Sequence, residues 1–309
     1  MRTISKIYFI MTRTLRALDI VKVTSLPKVR GLIYTLFSKL ANYYYKKIKG
    51  IVLSEFIDET NSIISLTTYG VRTNKVYITL DSIFSQSVRP YKVILWLSEE
   101  EYSLRSLPVE LKSRMEKYDF FEVRFCEDLK PHKKYYYSMA LFPENNIITA
   151  DDDVFYPHDW LATLITLHRR YPSSIACNNA HKITTCDGSI CPYDDWFCLT
   201  SEQGPSLLLC PIGVGGVLYP PYSLHKDVFR KDIIRDACLN ADDLWLRTMG
   251  MLNETTVVNS NRYSYTFLSV EGAKATALSN SNVIGGRNDI QLQNILTIYG
   301  DQINKILFK

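Results

Sequence analysis

The sequence lacks the features that announce several common chemistries. No two of the seven cysteines (Cys126, Cys177, Cys186, Cys191, Cys198, Cys210 and Cys238) stand in the CxxC spacing of a zinc site, and no secretory signal pattern precedes them. The expectation is reduced thiols in a cytoplasmic protein; zinc or disulfide bonds between Cys186 and Cys210 are the alternative. No uninterrupted apolar run reaches the ~18 residues of a membrane span. The glycines of Gly213-Val214-Gly215-Gly216 lack the strand-to-helix setting of a phosphate loop, which excludes a dinucleotide or Walker-type site there. Internal repeats and low-complexity linkers are absent as well.

Excess charge of one sign is confined to one end. Residues 1 to 50 hold eleven Lys or Arg against Asp19 alone, or +10, while the remaining 25 basic and 31 acidic residues sum to −6. The body is therefore not expected to bind nucleic acid. The basic end also carries Ile7, Phe9, Ile10, Leu15, Leu18, Ile20 and Val21, then a helical stripe of Leu32, Ile33, Leu36, Phe37 and Leu40 followed by Tyr43-Tyr44-Tyr45. With Lys39, Lys46, Lys47 and Lys49 beside it, such a segment suits either the surface of an anionic bilayer or a helix that packs on its own domain or on another copy. Residues 1–60 thus read as a basic amphipathic helical extension, and 61–309 as one domain.

From Ser62 onward, strand and helix patterns alternate. Ile63–Thr67, Val93–Leu97, Phe121–Phe125 and a short run ending at the acidic triplet read as strands; helices are expected over Val76–Phe84, Pro108–Met115, Tyr135–Phe142 and Pro157–Arg170. A strand follows at Ser174–Cys177, a helix after Asp242-Asp243, and Gly285 to Ile290 leads into a final amphipathic helix. Alternation of this kind implies an α/β fold with a mostly parallel central sheet flanked by helices, and ligands in such sheets sit beyond the carboxyl ends of the strands. That rule puts Thr67-Thr68-Tyr69, Ser98-Glu99 and Asp151-Asp152-Asp153 on one rim. Residues 178 to 223, with weak periodicity, read as a substrate-binding wall or lid.

The chain's most informative stretch is Asn146-Ile147-Ile148-Thr149-Ala150-Asp151-Asp152-Asp153-Val154. Three adjacent carboxylates repel one another, and a cation is the usual compensation. On an extended segment Asp151 and Asp153 point the same way and would share one divalent ion, with Asp152 facing elsewhere. A solvated acidic turn is the alternative.

Taken together, Ser62–Tyr69 with Leu80–Ser87, the triplet after Ile147-Ile148-Thr149-Ala150, and Ala241-Asp242-Asp243-Leu244-Trp245 resemble the GT-A-fold glycosyltransferases of bacterial lipopolysaccharide and capsule synthesis, the family 2-like enzymes. The resemblance implies a GT-A-like domain at the cytoplasmic face of the membrane. It would bind a nucleotide-sugar donor, with a UDP-sugar expected, through Thr67, Thr68, Tyr69, Arg72, Lys134, Asp151 and Asp152. It further implies Mn²⁺ or Mg²⁺ on Asp151 and Asp153, Asp243 or else Asp242 as the base for the acceptor hydroxyl, and a glycan or lipid-linked oligosaccharide acceptor. Where many members end the second strand in an acidic pair, this chain has Leu97-Ser98-Glu99-Glu100, which leaves the nucleotide open. Lys134 or Arg287 would be a second contact to the leaving diphosphate, or a solvated charge. Trp196 and Trp245 would stack on sugars or fill the core. His181 and His225 read as metal or acceptor contacts or as ordinary hydrogen-bonded residues. A sugar nucleotidyltransferase is a second reading, although Thr67-Thr68-Tyr69-Gly70-Val71-Arg72 is a poor version of its loop. A catalytically silent glycan-binding or assembly subunit is a third, and it expects Asp151, Asp153 and Asp243 to lie apart.

Overall fold

Ile63-Ile64-Ser65-Leu66 is buried on both sides, as a strand covered by helices on each face must be. A computed structural model of the protein describes Ile10 and residues 26–47, 51, 53–263, 267–272 and 286–309. Apart from Ile10, the apolar and basic positions expected before residue 26 lie outside the described residues, as do Lys49 and Gly285.

In chain order the strands are β1 (Ile63–Thr67), β2 (Lys92–Ser98), β3 (Phe121–Cys126), β4 (Ile147–Thr149), β5 (Ile175–Cys177), β6 (Ala180–Lys182), β7 (Thr185–Cys186), β8 (Ser189–Ile190), β9 (Leu209–Pro211), β10 (Val217–Tyr219) and β11 (Val257–Asn259). The helices are α1 (Leu26–Lys47), α2 (Val76–Phe84), α3 (Val109–Lys117), α4 (Lys133–Leu141), α5 (Trp160–Arg170), α6 (Lys231–Ala237), α7 (Asp242–Leu252) and α8 (Arg287–Leu307). Seven strands form the central sheet in the order β11-β5-β10-β4-β1-β2-β3. β1 to β4 are parallel, and β11 runs parallel to β5. This is the expected α/β architecture with a mostly parallel sheet.

One strand breaks the pattern. β10 lies between β4 and β5 and is antiparallel to both. Val217 pairs with Thr149 and with Cys177, so the residues before β10 reach the same rim as the residues after β4 and β5. Alternating strand residues serve the two faces: Ile64, Leu66, Val93 and Leu95 join Leu80, Leu164 and Trp160 in one core, while Ile63, Ile94 and Trp96 pack toward Tyr137 of α4 and Phe142 just after it. A further core joins Val217, Tyr219 and Ile175 to Trp245 and Leu292.

Two local expectations need correction. The helix expected from Pro157 begins at Trp160, because the Pro157 carbonyl is used by Trp160 N–H at 3.0 Å and by Gln86 Nε2 at 2.7 Å, which keeps Pro157 in the preceding turn. The stripe expected as one face of α1 divides: Phe37 packs on the domain, whereas Leu32, Leu36 and Leu40 are exposed. All seven cysteines are free thiols, five of them buried. Among the described residues, no helix is long and apolar enough to cross a membrane.

Entry into β10 depends on Gly216. Its φ is +81°, and an added Cβ would meet the Trp160 ring at 2.4 Å. Gly216→Ala is expected to lower stability by about 1–3 kcal/mol through positive-φ strain and overpacking. A urea-denaturation midpoint equal to that of the wild type would show that the Trp160 wall yields freely.

Candidate functional site

The site is built where β1, β2 and β4 end. Strand β4 stops at Thr149, and Asp151-Asp152-Asp153 follow in a bend, not in the extended segment expected from alternation. Several bonds fix this bend. The Asp151 N–H donates to Tyr156 Oη at 2.8 Å, Thr79 Oγ1 donates to the Asp152 carbonyl at 2.9 Å, and Val270 N–H donates to the Asp153 carbonyl at 2.8 Å. Because the backbone turns, the side chains meet different cations. Arg72 Nη1 lies 3.1 Å from Asp152 Oδ1 and 3.1 Å from Asp153 Oδ2, while Lys134 Nζ lies 2.9 Å from Asp151 Oδ1. Asp152, expected to face elsewhere, is thus part of the cluster.

Lys134 reaches the rim because α4 is anchored one turn later. Ser138 Oγ accepts from Trp96 Nε1 at 2.8 Å and shares a hydrogen bond with Ser65 Oγ at 2.7 Å. Residues four apart share a helix face, so Lys134 points along the same packed surface and is buried with its ammonium at the rim. There it also meets the second acidic motif, with Nζ 2.8 Å from Asp242 Oδ2.

Asp242 and Asp243 open α7, whose amino end favours negative charge. Asp243 Oδ2 accepts from Gly213 N–H at 2.9 Å. A Cβ on Gly213 would lie 2.8 Å from Asp243 Oδ1 and 3.2 Å from Lys134 Nζ, so glycine lets this backbone close on both groups. Of the glycines before β10, Gly213 therefore serves a carboxylate of the protein itself.

Burial, with the neighbouring Asp242 charge, pushes the Asp243 carboxyl up to about 7, although Lys134 and the Gly213 N–H oppose the shift. Burial and the charges of Asp152 and Asp151 likewise push Asp153 up to about 7 against the pull of Arg72. The rim thus holds Asp151, Asp152, Asp153, Asp242 and Asp243 against Arg72 and Lys134, an excess of negative charge that a bound cation would offset. Among the described residues, no group of three or more His, Cys, Asp or Glu is arranged to hold a metal. An all-oxygen set of one or two carboxylates, completed by water and phosphate oxygens, nonetheless matches how Mg²⁺ is commonly held.

These groups line one cleft of about 800 Å³, a volume suited to a small-molecule ligand. Thr67, Thr68, Tyr69 and Ser98 line it as expected; Thr67 Oγ1 donates to the Trp96 carbonyl at 2.8 Å, and Tyr69 lies under the Arg72 guanidinium at 4.6 Å. Glu99, expected on the rim, faces solvent, and Glu101 lines the cleft instead. His181 lines the wall with Nδ1 accepting from Leu199 N–H at 3.0 Å, and burial lowers its pKa to about 4. His225 caps a turn by accepting from Asp227 N–H. Arg287 is exposed, and its neighbour Asn288 lines the cleft. Trp196 and Trp245 are core residues, their indole N–H groups bonded to the carbonyls of Cys191 and Val228, so neither is free to stack on a sugar. Sequence reading missed Tyr34, Tyr193, Asn240, Phe267 and Asn288, which line the cleft without any shared motif.

Replacing Lys134 by Met leaves Asp151 and Asp242 facing one another without their cation. The expected cost is about 3–5 kcal/mol in urea denaturation at pH 8. In the wild type, Asp153 and Asp243 hold protons between the ordinary 3.8 and about 7 that the unfolded chain has released, so their contribution makes stability fall as pH rises through that window. Removing both raised carboxyls in an Asp153→Asn, Asp243→Asn variant should flatten that slope; an unchanged slope would contradict the assignment.

Comparison with protein-family models finds no match, and comparison with curated proteins finds none. Among solved structures, the chain is similar to 4-diphosphocytidyl-2C-methyl-D-erythritol synthase, at 10% identity over 74% of this chain and 98% of that one with a TM-score of 0.40. It is also similar to a mannosyltransferase from Pyrobaculum calidifontis in complex with GDP-Man and Mn²⁺, at 10% identity over 95% of this chain and 75% of that one with a TM-score of 0.45. Both likenesses are distant, and the chemistry of the site rests on its own geometry.

Proposed function

We propose that the protein is a metal-dependent, inverting glycosyltransferase of GT-A type, moving a sugar from a nucleotide-sugar donor to a hydroxyl of a glycan or lipid-linked acceptor. Synthesis of a bacterial surface polysaccharide is the setting that the sequence motifs imply. The observation that carries the reading is the convergence of two acidic motifs on Lys134, whose Nζ lies 2.9 Å from Asp151 and 2.8 Å from Asp242 with Asp243 alongside. A silent assembly subunit has no need of that convergence.

In this reading the donor diphosphate lies over the Asp151–Asp153 rim, with Thr67, Thr68 and Tyr69 beside it. Asp151 and Asp153 would hold Mn²⁺ or Mg²⁺, which offsets the charge that builds on the departing diphosphate. Arg72 and Lys134 hold those carboxylates in place through their ion pairs. Asp243 accepts the proton of the acceptor hydroxyl while that oxygen bonds to the anomeric carbon from the face opposite the diphosphate. The bond from carbon to phosphate oxygen breaks, its electron pair leaves with the diphosphate, and the configuration inverts. Gly213 N–H holds the base by one of its oxygens.

The base works as a carboxylate, so the rate of transfer should rise with pH through about 7 and level off above it. Asp243→Asn is expected to lower kcat by about 10²–10⁴ while leaving donor binding in place. Screening UDP-, GDP-, CMP- and dTDP-sugars with Mn²⁺ for hydrolysis and transfer tests the whole reading. Folded protein that binds and turns over none of them would sink it, and equal turnover in EDTA would remove the metal. Release of pyrophosphate from a nucleoside triphosphate and a sugar phosphate would identify a nucleotidyltransferase instead.

A further inference from the structure

Helix α1 carries more apolar surface than the domain beneath it covers. Its inner face, with Tyr34, Phe37, Ala41, Tyr44 and Tyr45, packs against Ile78, Phe155, Leu268 and Val270, and Tyr45 stacks on Phe155 with ring centroids 5.2 Å apart. The outer face presents Val29, Leu32, Leu36, Leu40 and Tyr43, of which Leu32 is 71% and Leu36 55% exposed. On ideal helical geometry these five fall within a sector of about 80° and a length of about 21 Å. Lys39, Lys46 and Lys47 are exposed along the same stretch, with Lys46 paired to Glu271.

We propose that this outer face of α1 docks on an anionic lipid bilayer, lying in the plane of the interface with its leucines among the acyl chains and its lysines at the headgroups. Charge complementarity singles out this occupant. The first fifty residues carry +10 and the rest of the chain −6, so an anionic surface attracts this segment and repels the remainder, which fixes the orientation. Lysines bordering leucines are at ease in lipid, where their stems lie along apolar surface and their ammonium groups reach the phosphates. Protein–protein interfaces, by contrast, are depleted of lysine.

The docking face is joined to the cleft by the same helix. Tyr34 lines the cleft and donates to the Phe267 carbonyl at 2.8 Å. Asn42 donates to the Ser269 carbonyl and accepts from Glu271 N–H, holding the segment whose Val270 N–H bonds Asp153. A bilayer under α1 therefore lies one helix away from the acidic rim. This holds whatever reaction the cleft performs.

Flotation of the full chain with vesicles of phosphatidylcholine, with and without phosphatidylserine, tests the proposal without reference to activity. The wild type should float with the phosphatidylserine vesicles, less so at high salt. A Leu32→Asp, Leu36→Asp variant should bind at least about tenfold more weakly with an unchanged unfolding midpoint, and so should Lys39→Glu, Lys47→Glu. Leu104→Asp, at an exposed leucine away from α1, should bind as the wild type does. Absence of wild-type binding, or equal binding by both α1 variants, would overturn the proposal. A lipid-free dimer in sedimentation equilibrium that the Leu32→Asp, Leu36→Asp variant dissociates would overturn it in favour of a second copy.

Discussion

The buried ammonium of Lys134 is the interaction on which the site depends. An ammonium removed from water must recover its hydration energy from nearby charges, and here Asp151 and Asp242 supply it from two elements far apart in the chain. The same ammonium makes five neighbouring carboxylates tolerable on one rim, with Arg72 as the second compensating charge. Compensation stays incomplete, and the incompleteness has chemical content. Asp153 and Asp243 are pushed up to about 7, one in the acidic triplet and one against the Gly213 backbone. A carboxyl shifted this far combines a working charge near neutral pH with more basicity than an ordinary aspartate.

Packing beneath the rim determines where that ammonium goes. Ser138 ties α4 to Ser65 of β1 and to Trp96 of β2, so Lys134 leaves the helix toward the end of β4. The antiparallel β10 is the complementary device. By entering the sheet in the reverse direction it delivers Gly213–Gly216 to the carboxyl rim, whereas the residues before a parallel strand would have lain at the opposite rim. Glycine at 213 then brings an N–H against Asp243, and glycine at 216 fits beside Trp160.

The cleft and α1 share a structural element in residues 267–272. Val154 bridges to Ser269, Phe155 N–H donates to the Leu268 carbonyl, and Tyr34 and Asn42 hold the same segment from the other side. The basic helix is therefore integral to the wall of the cleft, even though composition marks it as an appendage.

By itself the sequence determined the α/β order of β1 to β4 with their helices, since runs such as Ile63–Leu66 and Val93–Leu97 are too short for helices and, set between helical stripes, fit strands covered on both faces. It also determined that Asp151–Asp153 fall at a strand end and that Asp242-Asp243 open a helix, because those signals are local. Three-residue strands such as β10 and β11 carry too few side chains for a period to register, and their direction depends on partners remote in sequence. The partition of the carboxylates between Arg72 and Lys134, the loss of Trp196 and Trp245 to the core, and the splitting of the α1 stripe into a packed and an open face were decided only in the tertiary structure. Charge pairing and burial are properties of where chains meet, and no local pattern records which cation a carboxylate will find.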